Sequence, residues 1–191
     1  MRSKLSLFLT VMITMSAVIA LSAPVPAAEL AGVELDDNVA VGDHNLVLNG
    51  LGLRKKAIFK VYVGGLYLPQ KSSDPETIQS SDGAWKVVMH FVRSVGKDSL
   101  CGGWDDGLAN NTPKAGSDVK KDFKQLCDWM EDVKTNDQLT FTYIPGQGTE
   151  VTVKGNTKGT LESADSAAAL LACWIGPEPP SDDFKSGLLG N

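Results

Sequence analysis

The twenty-one residues from Asn49 to Pro69, NGLGLRKKAIFKVYVGGLYLP, constrain the fold of this chain more than any other segment. Strand-forming side chains crowd both sides of the charged triplet Arg54-Lys55-Lys56. Asn45 to Leu53 and Ala57 to Leu68 therefore read as an antiparallel hairpin with the triplet at its turn. One arginine and one tyrosine flank that turn. In this register Tyr62 lies roughly 13 Å along the strand from the point opposite Arg54, at ~3.3 Å per residue. Two long side chains converge across such a gap. A guanidinium presents a rigid fork of donors matched to a carboxylate and a phenol adds one more, so the pair suits an acid head group. A turn-capping arginine beside an ordinary half-buried strand tyrosine accounts equally well for the two residues taken alone.

The N-terminal residues follow a different logic. Met1 to Lys4 carries Arg2 and Lys4 and no acid, Leu5 to Leu21 is mostly apolar, and APVPAA then supplies the small residues of a cleavage site. Residues 1–28 are expected to be a signal peptide cut near Ala27 or Ala28, and residues 29–191 a single periplasmic or secreted domain. If uncleaved, the leader would be the chain's route to a membrane. Removing Arg2 and Lys4 takes the formal charge from −5 to −7, and no basic cluster exceeds the Arg54-Lys55-Lys56 triplet, so nucleic acid is not an expected partner. The oligomeric state stays open.

Beyond the first hairpin, Trp85 to Val92 reads as a third strand. Trp85, Val87, Met89 and Phe91 form a fully apolar face, and Lys86, Val88, His90 and Val92 a mixed one. Lys97 to Asn111 is predicted helical despite Gly102, Gly103 and Gly107. In the next helix Ser117 is the expected N-cap, and Val119, Phe123, Leu126, Cys127, Met130 and Val133 recur at helical spacing. Gln138 to Ile144 and Thr149 to Val153 form a second hairpin across PGQG, with Pro145 and Gly146 in the central positions of a type II turn. Ser163 to Trp174 closes as an alanine-rich helix stopped by Gly176 and Pro177, and Ser181 caps a final short one. Segregated helices and antiparallel strands indicate an α+β domain.

The pattern GxGxR followed by FKVYxxGLYL resembles the opening strands of the chalcone isomerase-like superfamily, in particular its secreted bacterial members. The similarity continues through FVRxV (Phe91 to Val95), Trp104 to Asn111, the hairpin YIPGQGTEVTVKG and the closing ALLACWIGPEPPSDDFKSGLLG. It implies an open-faced β-sandwich, a curved antiparallel sheet with helices layered on one face, and a cleft between the layers. It also implies roles. The arginine of GxGxR, here Arg54, holds an anionic oxygen in true isomerases, and in fatty-acid-binding relatives an arginine and a tyrosine, here Arg54 and Tyr62, hold the carboxylate. True isomerases line the cleft with a tyrosine and, seven residues on, an asparagine. Asn111 matches and Trp104 does not. An indole N–H donates only and has no hydroxyl to order a water or share a proton, so the catalytic arrangement is interrupted there. Lys97 lies out of register with the family's cleft lysine.

The expected function is thus binding of a small, fatty-acid-like hydrophobic acid by Arg54, Tyr62, Trp104 and Asn111, with no catalytic residue. The alternatives are an isomerase acting on an oxyanion-bearing substrate and an interaction module that receives a partner's segment in the same slot. His44 and His90 lie on separate strands without metal-ligand spacing, so neither a metal nor another cofactor is expected. GLG and GQG read as short glycine turns. Cys127 and Cys173 read as small buried side chains, with a Cys101–Cys127 bridge as the alternative in an oxidising compartment.

Overall fold

The computed structural model describes residues 27–191. The expected leader lies outside the described residues, apart from Ala27 and Ala28, which open the first strand. The elements run β1 (Ala27–Leu30), β2 (Val33–Asp36), β3 (Asn38–Val41), β4 (His44–Lys56), β5 (Phe59–Leu68), α1 (Pro75–Ser80), β6 (Trp85–Phe91), α2 (Lys97–Asn111), α3 (Ser117–Trp129), β7 (Gln138–Ile144), β8 (Gly148–Val153), β9 (Asn156–Leu161), α4 (Ala164–Ile175) and α5 (Asp182–Leu188). Strands β3 to β9 form one curled, wholly antiparallel seven-stranded sheet in sequence order, and β1 and β2 form a separate hairpin. The fold is α+β, a curved sheet carrying helices.

Side-chain alternation divides the core in two. Tyr62, Leu66, Trp85, Val87, Met89, Phe91, Leu139 and Phe141 point to the helices and join Leu100, Trp104, Phe123, Leu126, Trp174 and Phe184 in the larger apolar cluster. The opposite face, with Leu46, Leu48, Val63, Tyr67 and Val88, packs under Val33 and Leu35 of the β2 strand. The two faces of β6 thus serve separate clusters, as its sequence pattern requires. The N-terminal hairpin cover was not part of the sequence expectation, and neither were β3, β9 and α1.

Two β-bulges decide which β4 side chains meet the helices. Leu46 and Leu48 face the N-terminal hairpin. Asn49 is then an extra residue, because Leu48 pairs with Tyr67 and Gly50 with Leu66. The inserted residue reverses the alternation, so Gly50, Gly52 and Arg54 turn toward the helices. Asn49 is itself buried, its amide donating to Ser72 O at 3.0 Å and Leu188 O at 2.8 Å and its Oδ1 accepting from Ser72 N at 2.8 Å.

Gly50-Leu51-Gly52, expected as a glycine turn, is the middle of a long strand. Its glycines form a seat. A Cβ at Gly50 would stand 2.2 Å from Gly187 O, and one at Gly52 2.4 Å from Phe184 O, so α5 lies directly on the β4 backbone. Across the ladder, a Cβ at Gly64 would meet Phe184 Cζ at 2.8 Å. Close approach of two backbones, rather than turning, explains the glycines.

The other expectations differ mainly at their edges. The hairpin turn falls at Ala57-Ile58, immediately after the triplet, because Lys56 pairs with Phe59 and Ala57 adopts a left-handed φ of 53°. In α3 the N-cap is Gly116, and Ser117 is the first helical residue without a capping bond. Ser181 does cap, accepting from Phe184 N, and Ser163, expected as the first residue of its helix, is its N-cap and accepts from Ser166 N. The PGQG turn closes with Gln147 N donating to Ile144 O at 3.0 Å and Gly146 at φ 74°, the geometry a type II turn requires. Cys101 and Cys127 are joined in a disulfide that links α2 to α3, so Cys127 is not the simple buried thiol its apolar position indicated; Cys173 is free and buried.

Candidate ligand site between sheet and helices

A cavity of about 490 Å³ opens where α2 and the segment after α4 stand off the sheet. The second bulge of the β4–β5 ladder sets its inner edge. Arg54 pairs with Tyr62 and Lys55 with Lys60, which leaves Val61 as the extra residue. Without that insertion Arg54 would face Val61, and Tyr62 would turn to the far side of the sheet. With it, Arg54 and Tyr62 are direct cross-strand neighbours on the helix side. The sequence-based separation along the strand is corrected accordingly, because the turn lies later and the bulge takes up one residue.

Arg54 is half-buried, and its Nη1 donates to Lys55 O at 2.6 Å and to Pro180 O at 2.8 Å. Those carbonyls aim the guanidinium without neutralising it. The ion pairs among the described residues join Lys154 and Lys158 to Glu131, and neither involves Arg54. Tyr62 is 8% exposed and packs its ring on Phe91 and, edge-on, on Phe184 at 5.5 Å between centroids. Burial pushes its phenol above the ordinary tyrosine range, while the Arg54 guanidinium and the Trp174 indole pull the other way. The phenol is therefore a neutral donor at any physiological pH.

The helix wall comes from α2. Gly102, Gly103, Trp104 and Gly107 all border the cavity. Apart from the helix's own backbone and chain neighbours, no described atom lies within 4 Å of the Cβ positions of Gly102 and Gly103, whereas a Cβ at Gly107 would collide with Cys173 Sγ at 2.7 Å. The glycines that weaken the helix signal thus leave one stretch of wall bare and let α2 approach α4 at another. Trp104 is 5% exposed and packs edge-on against Phe141 and Trp174, at 5.3 and 5.6 Å between centroids. Its indole Nε1–H is buried and has no acceptor among the described residues. Cys173 lies on the floor, and burial pushes its thiol up to about 12, so it stays protonated and unreactive.

Asn111 does not border the cavity. Its amide donates to Gly107 O at 3.0 Å and Glu178 O at 2.9 Å, and its Oδ1 accepts from Glu178 N at 2.9 Å. The Gly107 contact stays within α2, and the two with Glu178 clasp the α4–α5 connection to the end of that helix. The segment so held supplies Glu178, Pro179 and Pro180 to the rim, and Pro180 O in turn orients Arg54. Lys97 also lies outside the cavity, its Nζ donating to Asp128 O at 3.2 Å. Sequence reasoning missed the contributions of Lys56, Asp106 and Glu178 to the rim and of Cys173 and Trp174 to the floor. The apolar face of α4 carried the last two in its periodicity; the rim residues had no local signal.

The sequence profile of the chalcone isomerase-like family matches residues 27–190, nearly the entire described region. The chain belongs to this family. Among curated proteins no sequence matches it. Among solved structures, the crystal structure of an Arabidopsis thaliana fatty-acid binding protein superposes with a TM-score of 0.67 at 18% identity, covering 86% of this chain and 96% of the plant protein. At that identity the likeness concerns the fold, and it extends to nearly the whole of the plant chain. The open-faced architecture expected from GxGxR and FKVYxxGLYL is the one observed.

Proposed function

We propose that this chalcone isomerase-like protein is an exported binder of a small hydrophobic carboxylic acid, fatty-acid-like in character, held between sheet and helices without being converted. The observation that carries this reading is the Arg54 guanidinium, oriented by two carbonyls and lacking a carboxylate partner among the described residues, at the edge of a cavity with aromatic and aliphatic walls. Arg54 binds the head group as a charge-assisted donor, Tyr62 adds a neutral O–H, and Trp104 forms part of the wall along the acyl chain. Asp106 and Glu178 on the same rim repel an anion, which narrows the place for a head group to the Arg54 side. Asn111 contributes indirectly by holding the Glu178–Pro180 segment.

Several features favour binding over turnover. Trp104 brings no hydroxyl to the place where isomerases of the family have one. Tyr62 and Cys173 are both held in their protonated forms. The plant fatty-acid binding protein with this fold supports the ligand class. Export rests on Arg2, Lys4, the apolar run and APVPAA, and the Cys101–Cys127 bridge suits an oxidising compartment.

Titration calorimetry with fatty acids of graded chain length tests the proposal. Wild type is expected to bind, and Arg54→Ala to lose ~1.5–3 kcal/mol of affinity, the worth of a hydrogen bond to a charged group. Equal binding by both proteins, or none by either, rejects the hook. Arg54-dependent acceleration of chalcone ring closure above the spontaneous rate would replace binder with isomerase.

A further inference from the structure

Ile58 is 86% exposed and Phe59 55%, and they are the exposed large apolar side chains of the described residues. They sit side by side at the β4–β5 turn, where Ala57 takes its left-handed conformation. Every residue from Lys55 to Lys60 is exposed and none is acidic. Arg93, arriving from the end of β6, lays its guanidinium over the Phe59 ring at 4.6 Å from the centroid, a cation–π contact that keeps the aromatic outward instead of folded back. A chain of formal charge −5 thus concentrates four cations, Lys55, Lys56, Lys60 and Arg93, around its two most exposed apolar side chains. Ile58 in this position contributes little to packing, and Phe59 keeps more than half of its surface in solvent.

We infer that the Lys55–Lys60 turn is a membrane-docking tip, in which Ile58 and Phe59 enter the headgroup region of an anionic bilayer while the four cations bind its phosphates. Charge complementarity selects the anionic partner. The size of the patch selects a bilayer over a protein, since a stable protein interface buries about 800 Å² per partner, far more than two side chains at a hairpin tip supply. An apolar tip within a cationic collar is enough for shallow insertion. The docking engages the bilayer surface through this turn and is separate from any contribution of the leader. Lys56 and Val61 border both the tip and the cavity, so docking brings the cavity mouth to the surface where a hydrophobic acid partitions. This last link rests on the proposed ligand; the docking does not.

The test places a polarity-sensitive fluorophore on Ile58→Cys in the full chain. Cys101 and Cys127 are bridged and Cys173 is buried, so the introduced thiol is the one that reacts. With phosphatidylcholine vesicles containing phosphatidylglycerol, emission is expected to shift to the blue and the label to become shielded from an aqueous quencher. Pure phosphatidylcholine should give little response, and high salt should reverse the shift. Adding Lys55→Glu and Lys60→Glu should weaken the response by about tenfold or more. A label that stays aqueous on anionic vesicles, or responds equally to neutral ones, overturns the inference. So does a response to polyglutamate in place of vesicles, which would make the tip a protein-binding element. Fatty-acid calorimetry on the protein with its lysines intact keeps the two readings apart: vesicle binding without acid binding removes the ligand and leaves the tip, and acid binding without vesicle binding removes the tip alone.

Discussion

Toward its base, the β4–β5 ladder carries Gly50, Gly52 and Gly64, and α5 lies flat on it with Phe184 and Leu188 fully buried. Toward its turn the same ladder carries Arg54 and Tyr62, and the helices stand back around a cavity of about 490 Å³. The strands, their pairing and their facing helices are continuous from one end to the other. The difference lies in side-chain bulk and charge at four or five inward positions. Where the sheet presents bare backbone, a helix closes on it and excludes everything else. Where it presents a cation and a phenol, closure would desolvate a guanidinium without pairing it, and a space is left for a ligand that can pair with it.

If this contrast is correct, damage to the closed end should appear as lost stability and damage to the open end as lost affinity. The largest effect is expected from Phe184→Ala, which empties the space between Tyr62 and the glycine seat and should cost about 3–5 kcal/mol in denaturant-induced unfolding. A cost below about 1 kcal/mol would mean that α5 is not part of the cooperative core. Gly52→Ala should follow, at about 1–3 kcal/mol, since its Cβ meets the Phe184 carbonyl oxygen at 2.4 Å and a backbone must move. An unchanged or raised midpoint would show that the seat is looser than the geometry indicates. The smallest effect belongs to the open end. Tyr62→Phe keeps the ring contacts with Phe91 and Phe184, so stability should stay within about 1 kcal/mol while fatty-acid affinity falls by about 0.5–1.5 kcal/mol. Lost stability with unchanged affinity would place Tyr62 with the closed end and blur the division.

The legible parts of the molecule were those with local causes. Alternation in Trp85 to Phe91, the Ser181 cap before α5, and Pro145-Gly146 at a turn each act through neighbours a few residues away, so they could be read without a fold. The candidate site was legible as residue types, since an arginine and a tyrosine near one turn and a tryptophan on the following helix pointed to an acid and an apolar wall. Asn111 illustrates the limit. Its family position marked it as a cleft residue, yet its amide is consumed by the backbone of Glu178, a partner 67 residues away that no local pattern indicates.

By itself, the sequence determined the strand and helix periods, the turn chemistry, the presence of an arginine and a tyrosine on either side of one turn, and the membership in a family whose motifs span nearly the whole mature chain. Only the tertiary structure decided how these combine. One extra residue at Asn49 and another at Val61 set the face to which Gly50, Gly52, Arg54 and Tyr62 belong, and a bulge is a property of two paired strands that neither strand displays alone. The roles of the glycines were settled in the same way: GLG is a turn or a helix seat depending on whether a second backbone arrives. Here the arriving backbone is that of Phe184 and Gly187, more than a hundred residues further along the chain.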